Sequence, residues 1–291
     1  MSDEDRVAEL RKLIPATGAG IYLDTAYRGP LPADTHAAMA EAEEWELRVG
    51  RAGEGRDEDV AQKRDEARAV IAALIGANPD DIRLAAAAPS GCVPLVDPDT
   101  GAVRAVGGLV DATLAVGAIP VDVEALGADL VYFAADRWLV APEGTGAIWS
   151  HGRDISDAEL GRTQVLGLAR SIGWLEMYVT VPWIFERGAT LTRRLFDALA
   201  GTDGVEAITP SDSIGTIVVF RLPSWSTEQA LEELRRRVFA IIGSTPDGSA
   251  IRASVAWFNT EEEIDRFTEA VAELARHTPE TLPRKPTLLV H

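Results

Sequence analysis

Lysine is scarce in this chain of 291 residues, which contains only Lys12, Lys63 and Lys285. No lysine lies between residues 64 and 284, so most of the chain has no side-chain amine. A carbonyl compound forms an imine only with an amine that can lose its proton, as a desolvated lysine can. Imine chemistry on a lysine is therefore excluded from the long central part of the sequence.

Cysteine and histidine are also rare. The single cysteine, Cys92, rules out an intrachain disulfide and is typical of a protein in a reducing compartment. The four histidines, His36, His151, His277 and His291, are scattered along the chain. No combination of histidine, cysteine and carboxylate residues has the spacing of a zinc site, so we expect no metal.

Basic residues and long apolar runs are in short supply. The chain has 46 acidic and 28 basic residues, which gives a net charge of −18 and argues against a nucleic-acid or anionic-membrane partner. No run approaches the ~18 apolar residues of a membrane span. The N-terminal sequence MSDEDRVAELRKL lacks the apolar segment of a signal peptide. We therefore expect a cytoplasmic protein without a nucleic-acid or membrane partner.

Three short apolar runs lie close together in the middle of the chain, at residues 108–110, 130–134 and 144–149. Short runs bounded by glycine and proline are typical of buried strands in an α/β sheet. The first run ends in Asp111, and Arg137 follows the second. Ligands of open α/β sheets bind at strand ends, so these two residues are candidates for chemistry.

The segment VDATLAVGAIPVDVEALGADLVYFAADRWLVAPEGTGAIW, residues 110–149, resembles the core of the class V aminotransferases. These are fold-type I enzymes of pyridoxal phosphate (PLP) and include cysteine desulfurases and isopenicillin N epimerase. The resemblance implies that Asp111 pairs with the pyridine nitrogen, but Leu114 replaces a family glutamine and Arg137 replaces the Schiff-base lysine. A guanidinium stays protonated and is a poor nucleophile, so Arg137 cannot form that bond.

Two further stretches are similar to motifs of the same family. Residues 20–32, GIYLDTAYRGPLP, resemble an opening loop that passes over the active site of the dimer, which makes Tyr27 and Arg28 candidates for substrate contact. The alternative is that this loop only begins the next helix. Residues 251–267, IRASVAWFNTEEEIDRF, resemble a signature whose arginine holds a substrate carboxylate, here Arg252. A sheet arginine paired with an acidic neighbour is the alternative there.

The turn Ser90-Gly91 resembles the family turn that binds the PLP phosphate at a helix N-terminus. Pro94 and the turn residues 97–101 argue against a helix after it. Only about twenty residues, 91–110, separate this turn from the Asp111 strand, whereas the family has further strands and helices there. We expect a sheet reduced to ~4 or 5 strands and the loss of one wall of the cofactor site.

The whole pattern predicts an α/β fold: a reduced fold-type I aminotransferase-like large domain with a mainly parallel sheet, and a small C-terminal α+β domain. Helical spacing of apolar residues is clear in 33–49 and 57–76, and 166–199 is helical with a break at Pro182. We place an N-terminal segment at residues 1–30, the large domain at 31–200 and the small domain at 201–291.

These patterns predict a degenerate, homodimeric member of the family that forms no lysine–PLP aldimine and uses no cofactor. We expect lyase- or isomerase-type chemistry on a small amino-acid-like or carboxylic metabolite. A non-catalytic pseudoenzyme subunit or ligand-binding partner is one alternative, and a noncovalent PLP binder is another. The candidate site residues are catalytic Arg137, Asp111 and Asp136, substrate-binding Arg252, Tyr27, Arg28 and Trp138, and cofactor-binding Ser90 and Gly91.

Overall fold

The computed structural model, which describes residues 2–52, 54–153 and 155–283, contains sheets of five, four and two strands. The strands are β1 (Ile21–Tyr22), β2 (Ile82–Ala85), β3 (Val93–Pro94), β4 (Gly108–Asp111), β5 (Ala128–Ala134), β6 (Gly146–Trp149), β7 (Glu206–Ala207), β8 (Ile217–Arg221), β9 (Ala240–Ile241), β10 (Gly243–Ser244) and β11 (Ile251–Ser254). The helices are α1 (Asp3–Lys12), α2 (Ala33–Val49), α3 (Arg56–Ile75), α4 (Arg162–Trp174), α5 (Val181–Ala200), α6 (Thr227–Val238) and α7 (Glu261–Ala275). The predicted α/β class is confirmed.

The larger sheet has five strands in the order β2-β6-β5-β4-β3. Strands β3, β4 and β5 run parallel, whereas β6 and β2 are antiparallel to their neighbours, so the sheet is mixed. Its size agrees with the reduced sheet expected from the short connection before β4. The register of β4 and β5 places Asp111 beside Tyr132, which brings the two strand ends to one edge of the sheet.

The two faces of this sheet are covered differently. Successive side chains of a strand point to opposite faces, and β5 is apolar on both. Val131 and Phe133 pack with α3 and α4 in the main hydrophobic core. Leu130 and Tyr132 point the other way, into a small cluster to which no helix contributes a residue in the part of the chain that the structure describes. The short connection between residues 91 and 110 leaves no length for a helix on that face.

The smaller sheet has the order β10-β11-β8-β7 and packs against α5, α6 and α7. Phe220 of β8 and Phe267 of α7 meet edge to face at its centre, with ring centroids 6.3 Å apart. The N-terminal strand β1 pairs in parallel with β9, so the start of the chain lies against this part of the fold. The domain limits drawn from the sequence stay a prediction.

The helical segment after residue 160 divides where proline predicts. Helix α4 ends at Trp174, a π-helical turn covers Leu175–Val179, and α5 begins at Val181. Pro182 lies in the first turn of α5, where its missing N–H costs nothing, so the predicted break is confirmed. Among the described residues, no helix is both long and apolar enough to cross a membrane.

Helices α6 and α7 each begin at a capping box. Ser226 Oγ accepts a hydrogen bond from the Gln229 N–H at 3.2 Å, and Thr260 Oγ1 accepts one from the Glu263 N–H at 3.1 Å. In each case the glutamine or glutamate side chain returns to the cap residue. The side chains at the two helix starts therefore satisfy backbone N–H groups that have no partner within the helix.

Replacing Thr260 by alanine should lower the free energy of unfolding by about 1 kcal/mol, because the first turn of α7 loses its side-chain acceptor. Chemical denaturation followed by tryptophan fluorescence measures this change. Thr190→Ala is the matched control, since exposed Thr190 bonds only to the Glu186 carbonyl within α5. Equal stabilities of the two variants would contradict a capping role for Thr260.

Candidate functional site

The loop of residues 24–29 connects two groups of charged side chains. Its backbone is fixed at both ends, because the Ala26 N–H donates to Ser254 Oγ at 3.0 Å and the Gly29 N–H donates to the Asp136 carbonyl at 2.8 Å. The first bond holds the loop against β11 and the second holds it against the turn after β5. The loop therefore spans from the smaller sheet to the end of the larger one.

The first group surrounds Asp136, which is buried. Arg28 Nη1 lies 3.5 Å from Asp136 Oδ2, and Arg137 Nε lies 3.5 Å from Oδ1. Burial raises the pKa of Asp136, and the positive charge of Arg28 opposes this shift only in part. Asp136 Oδ1 and Arg137 Nη1 are both buried without a hydrogen-bond partner among the described residues. The group thus retains hydrogen-bonding capacity that a ligand can use.

Tyr27 lies on top of this group. Its side chain is 59% exposed, and the guanidinium carbons of Arg28 and Arg137 are 5.1 Å and 5.5 Å from its ring centroid. Both distances fit cation–π contacts. Arg28 Nε is also 3.3 Å from Glu143 Oε1. Four residues selected from the sequence, Tyr27, Arg28, Asp136 and Arg137, therefore come together, while their roles stay predictions.

Trp138 and the Ser90-Gly91 turn do not belong to this charged group. Trp138 is buried in the main core, with its Nε1 lacking a hydrogen-bond partner among the described residues, so it lies beneath the charged group. Ser90 and Gly91 form an exposed turn that leads into β3 and not into a helix. The helix that supplies converging N–H groups to a phosphate is thus missing at this turn.

Asp111 ends β4 and is half-buried. Its Oδ1 accepts a hydrogen bond from the Thr113 N–H at 2.9 Å, which fixes the carboxylate at the strand end. Leu114, at the position of the family glutamine, packs against the main core. A fixed carboxylate of this kind is a suitable partner for a protonated ring nitrogen.

Tyr132 is a neighbour of Asp111 that the sequence analysis did not select. Burial raises its pKa to about 12, and the negative charges of Asp111, Asp136 and ionised Cys92 contribute. The tyrosine therefore stays protonated and offers a hydroxyl donor near both carboxylates. The sequence signal for it is a single polar hydroxyl within the apolar run 130–134, and the register that places it beside Asp111 is visible only in the structure.

The second group consists of Arg252 and Asp24. Arg252 lies buried in β11, and its Nη2 is 3.8 Å from Asp24 Oδ1. Burial raises the pKa of Asp24 to about 6, against the lowering effect of Arg252 and Arg235. The alternative interpretation of Arg252, a sheet arginine paired with an acidic neighbour, thus has its acidic residue in Asp24. The sequence analysis did not select Asp24. The sequence feature that could have identified Asp24 is its position directly after the apolar run 21–23.

The described residues contain no cluster of three histidine, cysteine or acidic residues able to hold a metal ion.

The model of the family described as aminotransferase class-V matches residues 103–161. Isopenicillin N epimerase from Amycolatopsis lactamdurans is 27% identical over 208 residues, which cover 58% of this chain and 52% of that protein. The chain therefore resembles the class V aminotransferases.

The predicted resemblance to this family is confirmed. A probable cysteine desulfurase of Methanothermobacter thermautotrophicus is 23% identical over 57% of the chain and 52% of its own length. The solved cystine C–S lyase C-DES has the same fold, with a TM-score of 0.78 at 15% identity over 89% of this chain and 99% of that one. The chain spans about half the length of the curated relatives that it matches.

The expectation that the protein uses no cofactor is wrong on these comparisons. A variant of C-DES with a TM-score of 0.73, at 14% identity over 90% of this chain and 98% of that one, has glycine covalently linked to its PLP cofactor. The resemblance places Asp111 at the ring nitrogen, and its fixed carboxylate is chemically suited to a protonated pyridine nitrogen. The family resemblance places Arg137 at the lysine position and Ser90-Gly91 at the phosphate turn, which here leads into β3 and not into a helix.

Proposed function

We propose that this class V family protein binds PLP noncovalently, together with a small carboxylate or amino-acid-like ligand. The observation that carries the proposal is the half-buried Asp111 carboxylate, fixed by the Thr113 N–H at the end of β4. PLP, when bound, supplies an electron-withdrawing ring whose effect is greatest with a protonated nitrogen. Asp111 keeps that proton in place, as an ionised acceptor beside a cationic N–H.

The other residues act around this anchor. Arg137 provides a permanent positive charge that suits a phosphate or carboxylate, and it cannot replace the lysine amine. Arg28 shares Asp136 with Arg137, which keeps the three charged groups at fixed distances. Tyr132 offers a protonated hydroxyl close to Asp111 and Asp136. The arrangement supports binding and orientation of an anionic ligand without a covalent bond to the protein.

A second candidate is a non-catalytic ligand-binding subunit, because Arg252 already has an internal counter-charge in Asp24. We also propose that the protein is a homodimer, with the exposed Tyr27 loop near the partner copy, as the family resemblance implies. The cytoplasmic location and the domain limits 1–30, 31–200 and 201–291 stay proposals on the sequence alone. Subunit mass and cofactor mass can be read in one native mass spectrum.

The purified protein should retain added PLP with a visible absorbance band and a matching noncovalent mass increase that denaturation removes. Asp111→Asn should weaken PLP binding by about tenfold or more, since a charge-assisted hydrogen bond is lost. Absorbance titration with PLP and native mass spectrometry measure both effects. Asp129→Asn is the control, because Asp129 is exposed on the same sheet and faces Arg153 at 3.4 Å. A flat spectrum without retained mass would refute the proposal.

Borohydride treatment distinguishes noncovalent from covalent binding. The unmodified protein should lose PLP on denaturation after this treatment, whereas Arg137→Lys, which supplies an amine at the family position, should retain reduced PLP covalently. Covalent retention by the unmodified protein would place an imine on another amine and contradict the noncovalent proposal. If Arg137→Lys bound PLP noncovalently but retained no reduced PLP covalently, residue 137 would not reach the cofactor. Arg137 would then be removed from the proposed site.

A further inference from the structure

We propose that Asp24 is an internal competitor for Arg252, so that a small carboxylate ligand and the Asp24 carboxylate exclude each other on one guanidinium. The inference rests on the proposed function for its small carboxylate ligand, and it takes Arg252, the carboxylate-binding residue that the sequence predicts, as the residue that receives it. The inference adds that Asp24 controls whether the Arg252 guanidinium is free to bind the ligand carboxylate. Asp24 acts through Arg252 and is a positioning residue, not a catalytic one.

The pairing of Asp24 with Arg252 is incomplete. The shortest distance between them is 3.8 Å, beyond a hydrogen bond. Asp24 Oδ1 and Arg252 Nε are both buried and lack a hydrogen-bond partner among the described residues. A buried charge without hydrogen bonds is costly, so each group gains when a better partner becomes available. A ligand carboxylate that binds the guanidinium with two oxygens is such a partner for Arg252.

The backbone holds Asp24 in this position. The Asp24 carbonyl accepts hydrogen bonds from the Tyr27 and Arg28 N–H groups at 2.9 Å and 3.1 Å. Gly243 of β10 faces the carboxylate, and a Cβ there would lie 3.0 Å from Oδ1 and 3.2 Å from Oδ2. The absence of a side chain at Gly243 therefore makes room for the Asp24 carboxylate beside Arg252.

Four ionisable groups surround the Asp24 carboxylate and its partner. Arg252 comes from β11, Arg235 from α6 and Tyr22 from β1, while Asp99 acts on Arg252 from the loop after β3. Burial raises the pKa of Asp24 to about 6, and the two arginines oppose that shift. A ligand carboxylate at Arg252 adds a negative charge close by, which raises the pKa of Asp24 further. Ligand binding near neutral pH should therefore take up a proton.

The direction of the pH dependence follows from these charges. Asp24 is ionised above about pH 6 and competes for Arg252, whereas below about pH 6 it is neutral and releases the guanidinium. An ordinary carboxylate ligand stays ionised until the pH falls to about 4. Between about pH 8 and pH 5 the affinity for a small carboxylate should therefore rise as the pH falls.

Calorimetric titration with sodium pyruvate, in buffers of different ionisation enthalpy, tests the inference. The unmodified protein should bind pyruvate about tenfold more tightly at pH 5 than at pH 7.5 and should take up a proton on binding. Asp24→Asn should bind at pH 7.5 as tightly as the unmodified protein does at pH 5, without proton uptake. Asp99→Asn is the control, since it removes a nearby charge that does not contact Arg252 and should retain the pH dependence.

Three outcomes would overturn the inference: affinity that does not change with pH in the unmodified protein, weaker binding by Asp24→Asn, or no pyruvate binding at any pH. Thermal unfolding checks that Asp24→Asn is folded, and proton uptake by the unmodified protein tests the inference without any variant. PLP absorbance is recorded in the same samples. Retained PLP without pH-dependent pyruvate binding refutes only the inference, whereas pH-dependent binding without PLP refutes only the proposed function.

Discussion

Replacing Arg187 by alanine should lower the free energy of unfolding by about 2–5 kcal/mol, because two buried carbonyls lose their charged donor. Arg187 lies in α5 and is only 6% exposed. Its Nε donates to the Trp257 carbonyl and its Nη2 to the Asn259 carbonyl, each at 2.8 Å, and both terminal nitrogens lie 3.1 Å from the Glu261 carboxylate. Without the guanidinium, two carbonyls of the turn between β11 and α7 lose their donors.

Arg194→Ala provides the matched control for Arg187→Ala. Arg194 lies in the same helix and bonds to Asp265 through two nitrogens at 2.7 Å and 2.6 Å, but the two side chains are 49% and 48% exposed. An exposed pair of this kind contributes about 0–1 kcal/mol. Urea denaturation of both variants measures the difference. Equal losses would show that the buried carbonyl contacts of Arg187 add nothing to the ion pair.

Local sequence signals determined the helix limits well. Helix α2 covers the predicted residues 33–49, because Pro32 starts it and Gly50 ends it. Helix α3 ends before Gly76, which adopts a left-handed conformation with φ 69°. These features lie within a few residues of the helix ends, so no knowledge of distant contacts is required. The residue pattern alone was therefore sufficient.

The second charged group could not be predicted in the same way. Asp24 and Arg252 are far apart in sequence and meet because Asp24 forms a parallel bridge with Ser254, at the end of β11. The register of this bridge depends on the packing of the whole sheet. The motif predicted that Arg252 binds a carboxylate, and only the structure shows that the Asp24 carboxylate lies beside it.

The cofactor prediction failed for a different physical reason. The lack of a lysine concerns one covalent bond, whereas the ring nitrogen and phosphate of PLP are held by noncovalent contacts. Asp111 lies at the end of β4 with its carboxylate fixed by a hydrogen bond, whereas Arg137 cannot form an imine. The lack of a lysine for the covalent bond therefore gives no ground for excluding the cofactor, which the structural neighbour C-DES contains.

Contact between the 24–29 loop and the end of the larger sheet depends on one glycine. The Gly29 N–H donates to the Asp136 carbonyl at 2.8 Å, and a Cβ on Gly29 would lie 1.9 Å from the Arg137 carbonyl oxygen and 3.2 Å from Val140 Cγ1. The first distance is far inside van der Waals contact with a rigid backbone atom. No side chain fits there without moving the loop or the turn after β5.

Gly29→Ala should therefore lower the free energy of unfolding by about 2–4 kcal/mol, through overpacking and the loss of the bond to Asp136. Displacement of the loop should also separate Arg28 from Asp136 and weaken PLP binding in the absorbance titration. Gly18→Ala is the control, because a Cβ on Gly18 meets no atom within 4 Å. Urea denaturation and PLP titration of both variants measure the two effects. If Gly29→Ala matched Gly18→Ala in both the free energy of unfolding and the affinity for PLP, the position of the loop would not depend on this contact.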